Sequence, residues 1–498
     1  MGLLSRVLQR NRTATILLNV VAALLLVVAP FGTATAAQPD VATTAWPTYL
    51  GGIARSGYNP LETAINATTA PNLRLSWSAQ AGGTISTQPI VANGRVYWGG
   101  WDGYQRASAA SGTSIGKLSW ATFVGRTVDS SCNPSNAGPA NTPTVATVSL
   151  NGTQRSLLFV GGGGNVDASG HPIANPTAQV LALDALTGAI VWQTPLGPAP
   201  SNFAWGSPAY YSGSVYIGIS SFGDCPLTAG HLFKLDAKTG GIQNDFMTVP
   251  AGCTGVGLWG SPTIDAAAGS VYIATGNPGS CATAEPYGQS AVELRLSDLS
   301  VLGAWPVPPG QAVGDGDFGS TPTLFSATVN GTARRLVGVQ NKNGVFYAFV
   351  RDNVSRGPVW YHRVSGGGDC PQCGSANISP AAWDGQQLYV GGGQAGVNGA
   401  TCAGTVKALN PATGSENWQL CLKGTVIAAV TAIPGVVAFG EQGNSSADSL
   451  MLVDAATGGT LFSYPPAGDI EFYGAPTIVN GVLYAGDTAN TLYAFALP

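Results

Sequence analysis

Five side chains within residues 258–353 can carry chemistry in a chain otherwise poor in charge: Trp259, Asn277, Asp315, Asp317 and Lys342. Trp259 opens Trp-Gly-Ser-Pro-Thr, Asn277 sits in a Thr-Gly-Asn-Pro turn, the two acids stand one residue apart, and Lys342 lies in Asn341-Lys-Asn-Gly344 ahead of Val-Phe-Tyr-Ala-Phe. An aromatic face, a neutral amide oxygen, a carboxylate and an ammonium can be four walls of one cofactor site. An ammonium close to an aspartate keeps the carboxylate ionised, as proton abstraction requires. Each residue also has a structural reading. Trp259 can be a packing aromatic, since Trp205 precedes Gly-Ser-Pro in the same way; Asn277 can be a positive-φ turn residue, the acids turn caps and Lys342 a hairpin tip.

Competing chemistry is sparse. With only His171, His231 and His362, a Ser-His-Asp hydrolase or a His-rich metal centre is disfavoured. No Gly-x-Gly-x-x-Gly or phosphate loop joins a strand to a helix, and the Gly161 to Gly164 run reads as a loop. The net charge of −4 and pI near 5.3 provide no basic footprint, so no nucleic-acid partner is expected.

The first residues read as an export signal. Arg6, Arg10 and Arg12 precede an apolar run, and Ala34-Thr-Ala-Ala37 supplies the small residues of a cleavage site. Residues 1–37 are therefore expected to be a signal peptide and 38–498 one exported domain, placing the protein outside the cytoplasm, secreted or in the cell envelope. An uncleaved anchor, the only route to a membrane in this reading, is the alternative; Asn19 inside the run argues against it. Eight cysteines in an exported chain read as disulfides, with Cys402–Cys421 and Cys370–Cys373 the favoured pairs. Cys370-Pro-Gln-Cys373 has the spacing of a haem-attachment motif, but Gly374 stands where that motif needs His.

The elements that must position the five residues are short strands. Only 9% of residues are charged, whereas Gly numbers 69 and Pro 33, a composition of β-strands joined by tight turns. A unit recurs: a Pro-containing start, an apolar strand, a Val-Tyr-rich strand, then Asp-Ala-x-Thr-Gly and a closing strand with Trp. Leu181-Ala-Leu-Asp-Ala-Leu-Thr-Gly188 with Trp192, Leu235-Asp-Ala-Lys-Thr-Gly240, Asn410-Pro-Ala-Thr-Gly414 with Trp418 and Asp454-Ala-Ala-Thr-Gly458 with Phe462 are its best copies. Units begin near Ser86, Asn141, Trp205, Trp259, Phe318, Ile378, Thr431 and Tyr473. That count predicts an all-β, eight-bladed β-propeller of four-stranded repeats. The last unit lacks a fourth strand after Pro498, and the lone strand around Leu73 to Trp77 is expected to supply it and close the ring.

Across nearly all of the chain after the signal, the repeats resemble those of pyrroloquinoline quinone (PQQ)-dependent alcohol dehydrogenases and their non-enzymatic propeller relatives. Within them, Leu258-Trp-Gly-Ser-Pro with Ala274-Thr-Gly-Asn-Pro278 is similar to the family's cofactor-stacking and calcium-ligand region. Gly314-Asp-Gly-Asp-Phe-Gly-Ser-Thr-Pro322 resembles the segment of the catalytic base, most of all in its polyvinyl-alcohol dehydrogenase form. Asn341-Lys-Asn-Gly344 resembles the segment whose cation approaches the quinone.

The resemblance implies PQQ and Ca²⁺ as cofactors. It also implies Trp259 as the stacking face, Asn277, Asp317 and Asp224 as metal ligands, and Cys225 and Lys342 at the cofactor. Asp317 would take the alcohol proton as hydride leaves to the quinone, and Lys342 would steady the charge growing there. Where the family often has adjacent cysteines followed by an Arg, this chain has Ser220-Ser-Phe-Gly-Asp-Cys225 and then Pro226-Leu-Thr-Ala229. With no haem motif, a separate electron acceptor is implied. The second reading is a non-catalytic propeller that binds proteins or envelope polymers through its loops and strand edges.

Overall fold

Short apolar runs broken by Gly-containing turns pair antiparallel, strand after strand, because each turn is too tight for anything but a hairpin. The structure, a computed structural model, describes residues 45–442, 449–465 and 470–498; the expected signal segment lies outside the described residues. Among them, eight sheets of four or five strands follow one another along the chain. Their first strands, Ile90–Ala92, Thr144–Leu150, Ala209–Tyr211, Thr263–Asp265, Thr323–Val329, Ala382–Trp383, Thr431–Ile433 and Thr477–Val479, begin at or a few residues after the repeat starts read from sequence. From the second blade to the eighth, neighbouring first strands touch in turn, and Thr477 Oγ1 of the eighth donates to Pro89 O at the start of the first. The fold is the eight-bladed propeller that the repeats predicted.

The eighth blade is composite. Thr477–Val479, Val482–Gly486 and Thr491–Ala496 take their fourth strand from Arg74–Gln80, with Arg74 opposite Ala496 and Gln80 opposite Thr491. This pairing joins the two ends of the repeat array and leaves no open gap in the ring.

The recurring Asp-Ala-x-Thr-Gly turn does two jobs. Asp184 Oδ1 accepts the N–H groups of Leu186 and Thr187 at 3.1 and 3.0 Å, and Gly188 takes the left-handed conformation at φ 76°. The same turn is also a seat for the preceding blade. Trp120 donates its indole N–H to Ala185 O at 3.1 Å, and a Cβ on Gly188 would meet that indole at 2.7 Å. Trp192 on Ala237, Trp360 on Pro411 and Trp418 on Ala455 repeat the contact between later blades. These acids cap turns and are not catalysts.

An irregular segment just inside the described region was not legible as a working part. Residues 46–59 cross the axis and pair with the first strands. Pro47, Ile53, Ala54, Ser56 and Gly57 carbonyls accept the N–H groups of Val145, Ile264, Leu324, Trp383 and Ala432. Arg55, 0% exposed, donates to the carbonyls of Pro262, Pro208 and Tyr49. Inner-strand backbone groups that would face a hollow channel are thereby satisfied, and one end of the channel is plugged.

Candidate functional site

Because the eight repeats share one register, equivalent residues converge on the axis. Four residues before each first strand stand Ser86, Ala140, Trp205, Trp259, Gly319, Ile378, Ile427 and Tyr473, and all eight line one cavity of about 620 Å³. Two residues nearer the plug, Thr142, Ser207, Ser261 and Thr321 line it too, and Tyr49 of the plug contributes to its lining. These hydroxyls link the blades. Thr142 Oγ1 accepts Gln88 N–H, Ser207 Oγ accepts Thr142 N–H, Ser261 Oγ accepts Ser207 N–H and Thr321 Oγ1 accepts Ser261 N–H, at 2.8 to 3.0 Å.

The structure brings Trp259, Asn277, Asp317 and Lys342 into the wall of this cavity. Asp317 precedes the fifth blade, and Lys342 occupies the hairpin between Thr332–Asn341 and Val345–Val350. Lys342 is thus a hairpin tip, as its structural reading had it, but one turned inward and only 6% exposed. Local bonds force that direction: Asn341 Nδ2 donates to Gly316 O at 2.6 Å and Lys342 N–H to Asp317 O at 2.9 Å, stitching the tip to the acidic segment.

The side-chain geometry follows. Lys342 Nζ lies 3.0 Å from Asp317 Oδ2 and 2.8 Å from Asp315 Oδ2, and 5.4 Å from the centre of the Trp259 ring, within cation–π range. Asp317 Oδ1 accepts the backbone N–H of Asn277 at 2.5 Å. Asn277 does not take a positive φ, so its turn reading fails; its side-chain amide has no hydrogen-bond partner among the described residues. Trp259 is held by backbone: a Cβ at Gly319 would overlap its six-membered ring, so only glycine admits the indole there.

Burial and charge oppose each other at the pair. Desolvation pushes Asp317 up to about 6, with the Lys342 ammonium pulling the other way and the Asp315 carboxylate adding to the rise. Burial disfavours the Lys342 charge, but Asp317 and Asp315 outweigh it and hold its pKa above the usual lysine range. A carboxylate that titrates near neutrality, beside a permanent cation and an aromatic face, is suited to taking a proton from a neutral donor.

Asp224 falls elsewhere on the wall, and Cys225, expected at the cofactor, lies behind the wall and lines none of the cavity. Asp224, at φ 57° and exposed, accepts the Ser221 hydroxyl at 2.9 Å on the cavity rim. Cys225 is bonded to Cys132. The favoured pairs Cys370–Cys373 and Cys402–Cys421 are both present, with Cys253–Cys281 as the fourth.

The donor chemistry fits the two implied groups unequally. For a planar polycarboxylate such as PQQ, the wall offers the Trp259 face, a run of hydroxyls and Lys342, its one Lys or Arg among the described residues. For Ca²⁺ the donors near Asp317 are all oxygens of the right kind, yet few. Asn277 and Asp317 are adjacent, Asp224 is engaged with Ser221, and among the described residues no three acids converge there. An ion would draw the rest of its six to eight oxygens from ligand and water.

Sequence reasoning missed Trp101, Phe222, Tyr49, Gln372 and the hydroxyl series, all in the lining. For the hydroxyls a signal existed: superposing Trp-Gly-Ser-Pro, Asn-Thr-Pro and Phe-Gly-Ser-Thr-Pro from successive repeats puts Thr142, Ser207, Ser261 and Thr321 in one column. Trp101, Phe222 and Gln372 come from loops of unequal length, which no register aligns.

Known proteins agree with this arrangement. A family model described as "Outer membrane protein assembly factor BamB" matches residues 402–497. The chain is 25% identical to a polyvinylalcohol dehydrogenase of Pseudomonas sp, over 88% of this chain and 72% of the relative. It is 24% identical to the polyvinylalcohol dehydrogenase of Sphingopyxis sp., over 84% of this chain and 69% of the relative. The crystal structure of quinohemoprotein alcohol dehydrogenase from Comamonas testosteroni superposes with a TM-score of 0.71 at 20% identity, covering 92% of this chain and 81% of that one. In repeats, ring closure and sequence, this chain is similar to the PQQ-dependent alcohol dehydrogenase-like β-propellers.

Proposed function

We propose that the protein is an exported oxidoreductase that oxidises the CH–OH group of an alcohol, secondary or polymeric, with PQQ and Ca²⁺ in the axial cavity. The observation that carries this reading is the buried Asp317–Lys342 pair beside Trp259. PQQ, when bound, supplies a two-electron acceptor. Asp317 accepts the alcohol O–H proton at its carboxylate. Lys342, held by Asp315 as well, keeps a positive charge over the Trp259 face, where negative charge grows on the ligand. Asn277 and Asp317 furnish oxygens for the cation, with Asp224 available from the rim. Trp101, Trp205 and Phe222 narrow the wall and exclude water. Electrons pass on to a separate acceptor.

The test is a titration of the purified protein with PQQ and Ca²⁺. Binding at micromolar cofactor, a raised melting temperature and dye reduction with a secondary alcohol are expected. Absence of binding at tens of micromolar would favour the scaffold reading, to which the match over residues 402–497 points. In the same titration Gly319→Ala is expected to weaken PQQ about tenfold, the effect of a 1–3 kcal/mol clash that displaces the Trp259 ring. Unchanged affinity would remove Trp259 from the binding face.

A further inference from the structure

Among the four disulfides, Cys132–Cys225 closes the longest stretch of chain. Cys132 lies in the connection between the first and second blades, at the end of a small ribbon formed by Thr127–Val128 and Asn136–Ala137. Cys225 follows Ser214–Ser221, the second strand of the third blade. The bridge, 93 residues apart in sequence and 5.6 Å between Cα atoms, therefore ties the connection ahead of the second blade to the third blade. Its flanks are not peripheral. Asn133 and Pro134 on one side, and Phe222, Gly223 and Asp224 on the other, all line the axial cavity.

The packing shows one continuous wall. A Cβ on Gly223 would stand 3.4 Å from Asn133 O, 3.5 Å from Cys225 Sγ and 3.6 Å from Cys132 Cβ, so this glycine lies against the bridge itself. Phe222, 2% exposed, stacks on Trp205 at 6.1 Å and 9°. Trp205 in turn meets Trp101 edge-on at 6.4 Å. The cross-link thus holds two loops of unequal origin, and through Phe222 two wall tryptophans, in a single arrangement. Neither loop has a strand partner in the other that would do the same, since the ribbon pairs only with itself and with the second blade.

We infer that Cys132–Cys225 is a positioning cross-link: it straps the lip formed by Asn133, Pro134, Gly223 and Asp224 over the cavity and limits passage of ligand into and out of it. Its effect on the cofactor rests on the function proposed above; its effect on access does not.

The experiment compares Cys132→Ser/Cys225→Ser with Cys402→Ser/Cys421→Ser, whose flanking residues do not line the cavity. Iodide quenching of tryptophan fluorescence without cofactor is expected to rise in the first variant and stay at the parental level in the second. After loading with PQQ and Ca²⁺, the rate of quinone loss on dilution is expected to increase about tenfold in the first variant only. Parental quenching in a variant that still unfolds cooperatively overturns the inference, as does an unchanged rate of quinone loss. A parental chain that binds no PQQ overturns the proposed function instead, and the quenching result still stands. If the double variant does not fold, the parental protein is partly reduced with a phosphine and its thiols are alkylated and mapped by mass spectrometry. Quenching that tracks opening of Cys132–Cys225 supports the inference, and quenching that does not track it overturns it.

Discussion

Asp317→Asn is expected to lower kcat by about 10²- to 10⁴-fold, the usual contribution of a general base, while leaving PQQ affinity within a few-fold of the parent. The separation of the two effects follows from the geometry. Lys342 is held by Asp315 at 2.8 Å as well as by Asp317 at 3.0 Å, so the ammonium keeps its place over Trp259 when Asp317 is neutralised. An Asn oxygen can still accept the Asn277 N–H. What is lost is the charge that takes the proton. In the parent, kcat/KM is expected to rise with pH through about 6 and level off above it, because the base works only when ionised. In the Asn variant that acid limb should be absent. Turnover near the parental level at neutral pH would dismiss Asp317 as the base.

Lys342→Met is the second large effect, and its sign depends on pH. With the ammonium gone, the main force holding Asp317 below its desolvated value disappears and its pKa rises further above about 6. The folded state then binds the Asp317 proton more tightly than the unfolded chain does, so the variant is close to parental stability in acid and loses stability as pH increases. The loss should approach about 3–5 kcal/mol once the carboxylate is forced to ionise without a partner. Activity should move the other way, nearly absent at neutral pH and partly restored in alkali. Thermal melts and initial rates over the same pH series check both trends. A melting temperature that falls equally at all pH values would mean that Lys342 serves only as packing.

Propeller, blade count and ring closure were legible because they rest on local rules applied many times. Each Asp-Ala-x-Thr-Gly turn signals its own geometry through a capping side chain and a left-handed glycine, and four such turns among eight recurring strand units make the period legible. The strand at Arg74–Gln80 was legible by subtraction, as the one strand without a partner in its own repeat. Of the site, Trp259, Asn277, Asp317 and Lys342 could be named because their segments resemble, in order and spacing, those of the PQQ-dependent alcohol dehydrogenases.

What the sequence by itself determined, then, is the set of parts and their angular order around an axis. Tertiary structure alone decided which way they point. Lys342 at a hairpin tip is ordinarily solvated; two backbone-directed bonds to residues 316 and 317 turn it into the cavity, and those bonds exist only once the acidic segment ahead of the fifth blade lies against that hairpin. Asp317 titrates near 6 because docking removes its water, an effect that no residue type or spacing encodes. The plug of residues 46–59 and the strap of Cys132–Cys225 are settled at the same level. Both join residues far apart in the chain through irregular backbone, and without periodicity only the closed ring selects their partners.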